Sequence, residues 1–306
     1  MAKKLIIFLN ILILVVSCGQ SDEQKLKSAI DSANQLLSLR KCDEAITVLE
    51  GVGQQTNNAR WLIAYASAHA CGGAFSEPSF FATELPKLGT SVGQSALFGL
   101  LTTFNSSSYS TFSTEYNKLE TALNVLLYAG GITSSSHANR LTKFTASEVN
   151  NMEVFALYLT MTQLGRYLDY YGAPSAAGVK GNCIATYTDA TALAAIDLVN
   201  TDACNSGTNT GHPDIETGVA ATRHARLCQG LVLFNNFIDL ISNISFTGGN
   251  TGTLSTLGTT FGALCTTAFG AGAAVCTTKD QTACVNNITN AQIEQFFGSI
   301  IETFYL

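Results

Sequence analysis

The stretch from Ser147 to Tyr171 constrains this chain more than any other. Phe155, Leu157, Tyr158, Leu159, Met161, Leu164, Tyr167 and Leu168 follow one another at helical positions that wrap most of a helix circumference. A helix apolar nearly all round is buried on more than one side, so it is expected at the centre of the fold. Gly172 and Pro174 stop it. Only 12% of the residues are charged and 46% are apolar, against about 25% charged in an ordinary soluble domain. That excludes a disordered, charge-solvated chain. The net charge is −6 with no cluster of Lys or Arg, which argues against a nucleic-acid partner.

Other helices are predicted on both sides of this one. Ser21-Asp22-Glu23-Gln24 has the form of a capping box, and Leu26, Ile30, Ala33 and Leu37 continue as one apolar stripe toward Arg40. Asp43-Glu44 opens a short helix over Ala45 to Glu50, closed by Gly51 as its C-terminal cap. Asn57 or Asn58 caps a third, with Leu62, Tyr65, Ala66 and His69 on one side and Gly72-Gly73 at its end. Gln94 to Phe104 reads as a short apolar helix. Thr111 to Tyr128 places Tyr116, Leu119, Ala122, Leu123 and Leu126 on one face. Residues 176–218 read as an irregular excursion, with one short helix near Ala190 to Val199. A C-terminal helical region, 219–306, is expected to pack on the same core. It starts with a long helix over Val219 to Ile241. Leu240 to Thr278 then carries no charged residue, and is expected to be a packed, disulfide-bounded loop or a surface touching lipid or a partner. Thr289-Asn290-Ala291-Gln292 is a second capping box, followed by Ile293, Phe296, Phe297, Ile300 and Phe304 on a terminal helix that docks on the core.

The N-terminus carries an address. Lys3 and Lys4 precede an apolar stretch, Leu5 to Val16. As a helix it reaches roughly 18 Å, short of a bilayer's roughly 30 Å core. Val15-Val16-Ser17-Cys18 then resembles the lipobox of bacterial lipoproteins. The resemblance implies a signal peptide over residues 1–17, cleavage before Cys18, and lipidation of Cys18 on sulfur and on its new amine. It also implies a location in the cell envelope, with Gly19 after the cysteine favouring the outer membrane. Leaflet and face are left open.

Beyond Cys18 there remain Cys42, Cys71, Cys183, Cys204, Cys228, Cys265, Cys276 and Cys284, an even set with no C-x-x-C spacing. In an exported chain they read as up to four disulfides, not as a thioredoxin-like or zinc-ribbon motif. Proximity and turn context favour Cys42 with Cys71 and Cys276 with Cys284, while Cys183 and Cys204 are candidates to staple the excursion.

The segment Leu36 to Glu50, with Asp43-Glu44-Ala45-Ile46 and Leu49, resembles the turn into the second helix of a tetratricopeptide-type pair, a likeness that extends from Gln24 to Gly73. It implies an all-α fold of stacked antiparallel helix pairs, solenoid-like over 18–175, with long disulfide-stapled loops. Cys42 and Cys71 would end successive first helices, and their disulfide would join neighbouring repeats.

Catalytic templates fit poorly. Gly93-Gln94-Ser95-Ala96 starts like a nucleophile elbow, but Leu97 stands where its second Gly belongs. His69, His137, His212 and His224 are scattered. His212, Asp214 and Glu216, with Asp202 upstream, are the best local candidates for metal ligands or acid–base residues, since alternate residues of an extended loop face one way. A solvated loop explains them equally. Glu153, Arg166 and Asp169 either line a groove or make a surface salt bridge, Arg166 and Asp169 being three apart. Trp61 and Tyr65 read as a core pair. The expectation is a non-enzymatic, lipid-anchored protein without a cofactor that binds or scaffolds envelope proteins. The alternative is a solute- or glycan-binding lipoprotein partnering an outer-membrane transporter, similar to SusD-like proteins, although a single Trp is sparse for that class.

Overall fold

Ser21 starts the first helix as its capping box requires, its hydroxyl accepting from Gln24 N–H at 3.2 Å and the Gln24 side chain accepting from Ser21 N–H at 3.1 Å. A computed structural model describes residues 21–84, 109–173, 181–199, 204, 210–244 and 251–302. The helices are α1 (Asp22–Ser38), α2 (Cys42–Glu50), α3 (Ala59–Gly72), α4 (Glu77–Ser79), α5 (Thr114–Leu127), α6 (His137–Leu141), α7 (Ala146–Gly172), α8 (Ala190–Val199), α9 (Pro213–Glu216), α10 (Ala220–Asn243), α11 (Thr251–Phe269), α12 (Ala274–Thr277), α13 (Gln281–Asn287) and α14 (Asn290–Phe296). No strand occurs among the described residues, only an isolated bridge between Cys183 and Gly211. The segments Gln94 to Phe104 and Gly93 to Leu97, together with residues 1–17, Cys18, Asp202 and Phe304, lie outside the described residues.

The chain is all-α, and its order of packing is that of stacked helix pairs. α1 packs on its partner α2 and also on α3, and α3 packs on α5 and on α7, which in turn packs on α5 and α10. Small side chains let these axes approach: Ala33, Ala45, Ala66 and Ala68 are fully buried. At the end of α3 a Cβ on Gly73 would lie 2.9 Å from Leu119 N and 3.0 Å from Glu115 O, so glycine is what permits α5 to cross there. Trp61 stacks on Tyr65 at 4.6 Å and donates its indole N–H to Leu49 O at 3.2 Å, tying α3 to the end of α2. Gly51 caps α2 in right-handed geometry, and the left-handed turn comes two residues later at Gly53.

α7 is the central helix, opened by a Thr145–Glu148 capping box and closed by Ala173 in the left-handed conformation. It is buried from Leu164 through Leu168 without a break, because α3, α5 and α10 cover it on different sides. Tyr167 fits α10 at Gly230, where a Cβ would come within 2.6 Å of its ring, and its hydroxyl donates to Arg226 O at 3.0 Å.

Four disulfides lock this arrangement, and they correct the expected pairing in part. Cys42 joins Cys71 across neighbouring pairs, with Cα atoms 5.6 Å apart. Cys42 opens α2, however, rather than ending α1. Cys183 joins Cys204 and closes the excursion. Cys276 does not pair with Cys284. α13 lies against α10, so Cys284 meets Cys228 with Cα atoms 5.7 Å apart, and Cys276 meets Cys265 across the turn from α11 into α12. Helices folding back on one another bring distant cysteines closer than sequence neighbours.

The charge-free segment is largely helix rather than loop. Phe261 is buried edge-on to Phe234 with centroids 4.7 Å apart, while Thr266 and Thr267 spend their hydroxyls on the carbonyls of Gly262 and Ala263. No helix among the described residues is long and apolar enough to cross a membrane.

The excursion is held by two glutamates from the C-terminal helices and by one of its own, Glu216. Glu302, fully buried, accepts from Ile184 N–H at 2.8 Å and from Tyr187 O–H at 2.6 Å. Glu294 accepts from the amides of Thr188 and Asp189 at 2.7 and 2.8 Å, and Glu216 from Thr186 N–H at 2.8 Å. Arg223 sits between Glu216 and Glu294, at 3.5 and 3.1 Å. An extended segment that would otherwise bury unpaired amides thereby has acceptors.

Candidate functional site

α1 and α3 leave a groove between them of about 360 Å³. Leu26 and Ile30 of α1 and Ile63 and Ala64 of α3 line its apolar part; Glu23, Lys27, Asp31 and Asn34 stand along one side and Arg60 on the other. The four polar residues of α1 recur at helical spacing, so they share a face. Glu23, Lys27, Asp31 and Arg60 are exposed and have no ion-pair partner among the described residues. Nearby lysines differ: Lys25 pairs with Asp22 at 3.1 Å, Lys41 with Glu44 at 2.9 Å and Lys118 with Asp43 at 2.7 Å. The groove therefore offers two anions and two cations, unspent, beside an apolar floor. The repeat of Glu23, Lys27 and Asp31 is visible in the sequence, but only the approach of α3 turns it into one wall of a groove.

The residues singled out from sequence disperse. Pro213 starts a helical turn, so Asp214 and Glu216 point roughly 200° apart instead of facing one way, and His212 precedes the turn as its extended N-cap. His212 Nδ1 accepts from Asp214 N–H at 3.2 Å, Asp214 accepts the hydroxyl of Tyr170, and Glu216 turns to Thr186 and Arg223. Among the described residues no three His, Cys, Asp or Glu side chains converge as metal ligands. Arg166 is not paired with Asp169 on the surface: it is buried, donates to Gly73 O at 2.8 Å and lies 4.1 Å from the centre of the Tyr109 ring. Burial pulls its guanidinium below the usual arginine range. Glu153 is also buried, 2.9 Å from Arg140 Nε and 2.9 Å from His137 Nδ1. His224 contacts Asn290 Oδ1 at 2.6 Å.

His69 stands edge-on to Tyr65 at 4.6 Å, and both of its ring nitrogens are buried without a hydrogen-bond partner. Burial lowers its pKa; Glu50 and Asp43 pull it up and Lys118 pushes it further down. The unfolded chain, with an ordinary imidazole, takes up a proton below about pH 6.5 that the folded chain refuses, so His69 subtracts stability as pH falls through that value. We expect urea unfolding between pH 7.5 and 5 to show a shallower loss in His69→Phe than in the wild type, the difference not exceeding about 1.4 kcal/mol per pH unit. Parallel curves would contradict this.

A second cluster forms where α7 ends. Tyr170 lies 6.5 Å from Phe112 and 5.0 Å from His212, and His212 is 5.3 Å from Tyr171, ring centre to ring centre. The Arg226 guanidinium lies over the Phe112 ring at 4.8 Å. Tyr171 shares a 2.8 Å hydrogen bond with Thr111. His212 and Asp214 thus gain a setting of aromatic rings that their own sequence neighbourhood does not contain. Compared with known proteins, the chain matches no family model, no curated protein and no solved structure.

Proposed function

We propose that this is a lipid-anchored protein of the bacterial cell envelope that binds or scaffolds other envelope proteins through the groove between α1 and α3, without catalysing a reaction. The observation that carries the reading is the set of unpaired charges, Lys27 and Arg60 against Glu23 and Asp31, beside Leu26, Ile30 and Ile63. Charges left unpaired on two adjacent helices, next to partly buried apolar side chains, suit a segment that brings its own apolar anchors and complementary charges. Stacked helix pairs favour such extended contact surfaces. The lipid anchor on Cys18 adds a positional argument. Cys18 and Ser21 are three residues apart, at most about 11 Å of extended chain, so a lipidated Cys18 holds the groove at the membrane surface. Partners are then membrane-bound or membrane-adjacent proteins, most simply at the outer membrane.

The test is capture from detergent-solubilised envelopes using mature, lipidated protein. The wild type is expected to retain a reproducible partner that Lys27→Glu/Arg60→Glu loses by about tenfold or more, as reversing two rim charges costs on the order of 1–2 kcal/mol. The same proteins retained equally by both would remove the groove from the account. Mass spectrometry of the N-terminus should find diacylglycerol-modified Cys18 as the first residue.

A further inference from the structure

We propose that Phe112, Tyr170, His212, Asp214 and Arg226 form a binding site for a neutral saccharide, separate from the α1–α3 groove. Three observations support it. First, Phe112 is 54% exposed although it follows the buried Thr111. Among the described residues the ring meets Tyr170 edge-on and Arg226 on one face, and its remaining exposed surface can take a ligand's C–H face. Second, the polar groups around it have unused capacity. Arg226 makes one long hydrogen bond, 3.4 Å to Thr217 O, and no ion pair among the described residues, although its guanidinium is already oriented on Phe112. Among the described residues His212 uses Nδ1 alone, and Asp214 accepts the Tyr170 hydroxyl on one oxygen. Donors on Arg226 and His212 and an acceptor on Asp214 thus remain open beside the rings. Third, the charges of Arg226 and Asp214 cancel. A site with both signs and the His212 ring N–H selects neither an anion nor a cation alone; it suits a ligand that donates and accepts at adjacent hydroxyls. A pyranose ring combines such hydroxyls with an apolar face, which the exposed Phe112 ring can meet, the Tyr170 ring standing perpendicular beside it.

The rings are also held in place. Tyr170 and Tyr171 end the 27-residue central helix, and His212 caps α9. The platform is therefore built before a ligand arrives, which lowers the ordering cost of binding.

The experiment is titration of the whole mature protein, in detergent, with glucose, galactose, N-acetylglucosamine, mannose, maltose and cellobiose, followed by calorimetry and by ligand-observed NMR. At least one sugar is expected to saturate at or below about 10 mM, a weak but specific affinity. Phe112→Ala and Arg226→Ala should each weaken it by about tenfold or more, with unchanged helical circular dichroism, since Phe112 is exposed. Lys27→Glu/Arg60→Glu should leave it unaltered, which separates this site from the groove. The proposal is overturned if no sugar saturates, if both single variants bind as the wild type does, or if inorganic phosphate binds at the site while every sugar fails.

Discussion

Arg140→Met is expected to lower the unfolding free energy by about 3–5 kcal/mol, because it strands a charge in the interior. Arg140 and Glu153 are each 1% exposed, with Arg140 Nε 2.9 Å from the carboxylate. The same guanidinium donates to Leu127 O at 3.0 Å and to Ser135 Oγ at 3.2 Å. Asn236 takes the Ser135 contact on at 2.9 Å and donates to Lys279 O, also at 2.9 Å, while Lys279 pairs with Asp239 at 2.8 Å. One arginine therefore ties α5, α6, α7 and α10 together. Removing it leaves Glu153 buried with, among the described residues, the partly exposed His137 as its remaining basic partner. Thermal unfolding followed by circular dichroism should show a midpoint lower by roughly 10 °C, given about 2–4 °C per kcal/mol for a chain of this size. The double variant Arg140→Met/Glu153→Leu should regain much of the loss, since an apolar pair can replace a buried ion pair at little cost. A single variant within about 0.5 kcal/mol of the wild type would mean that the pair is hydrated and unimportant.

The second large effect concerns covalent connectivity. Cys228 and Cys284 are 56 residues apart and Cys265 and Cys276 only 11. A cross-link acts chiefly by restricting the unfolded chain, so the longer loop stabilises more: about 4 kcal/mol for Cys228–Cys284 against about 3 kcal/mol for Cys265–Cys276. Cys228→Ala/Cys284→Ala is therefore expected to be the more damaging double variant, and urea unfolding of the two would rank them. Peptide mapping without reductant checks the premise directly. A peptide joining the Cys276 and Cys284 segments would contradict the packing of α13 on α10.

How much could be seen beforehand differs from element to element. The capping boxes at Ser21 and Thr289 form as expected, each closed by its own glutamine, and the short helix of the excursion spans the expected Ala190–Val199. Such features depend on residues within one turn of each other. The stripe on α5 is buried at every expected position from Tyr116 to Leu126 for a similar reason: helical period alone decides which residues share a face. Cys42 and Cys71 do pair, as their proximity in the chain and turn context favoured, whereas the partner expected for Cys276 was wrong. Site residues were far less legible. Glu153 and Arg166 carry helix-surface spacing and yet are buried, because nothing local reveals that Arg140 and the Gly73 carbonyl will meet them. Glu294 and Glu302 look like ordinary charges of a terminal helix, and become clamps only when a segment from residues 183 to 189 lies across them.

What the amino-acid order determined by itself was the helical class, the main helix boundaries, the central position of α7, and an N-terminus resembling a lipid-attachment signal. Each rests on interactions within a few residues, or on a composition that has to be buried. Only the tertiary structure decided which cysteines pair, which charges lie inside, and which rings and charged groups share a surface. Those outcomes depend on contacts between residues far apart in the chain, and periodicity carries no record of which helix will lie against which.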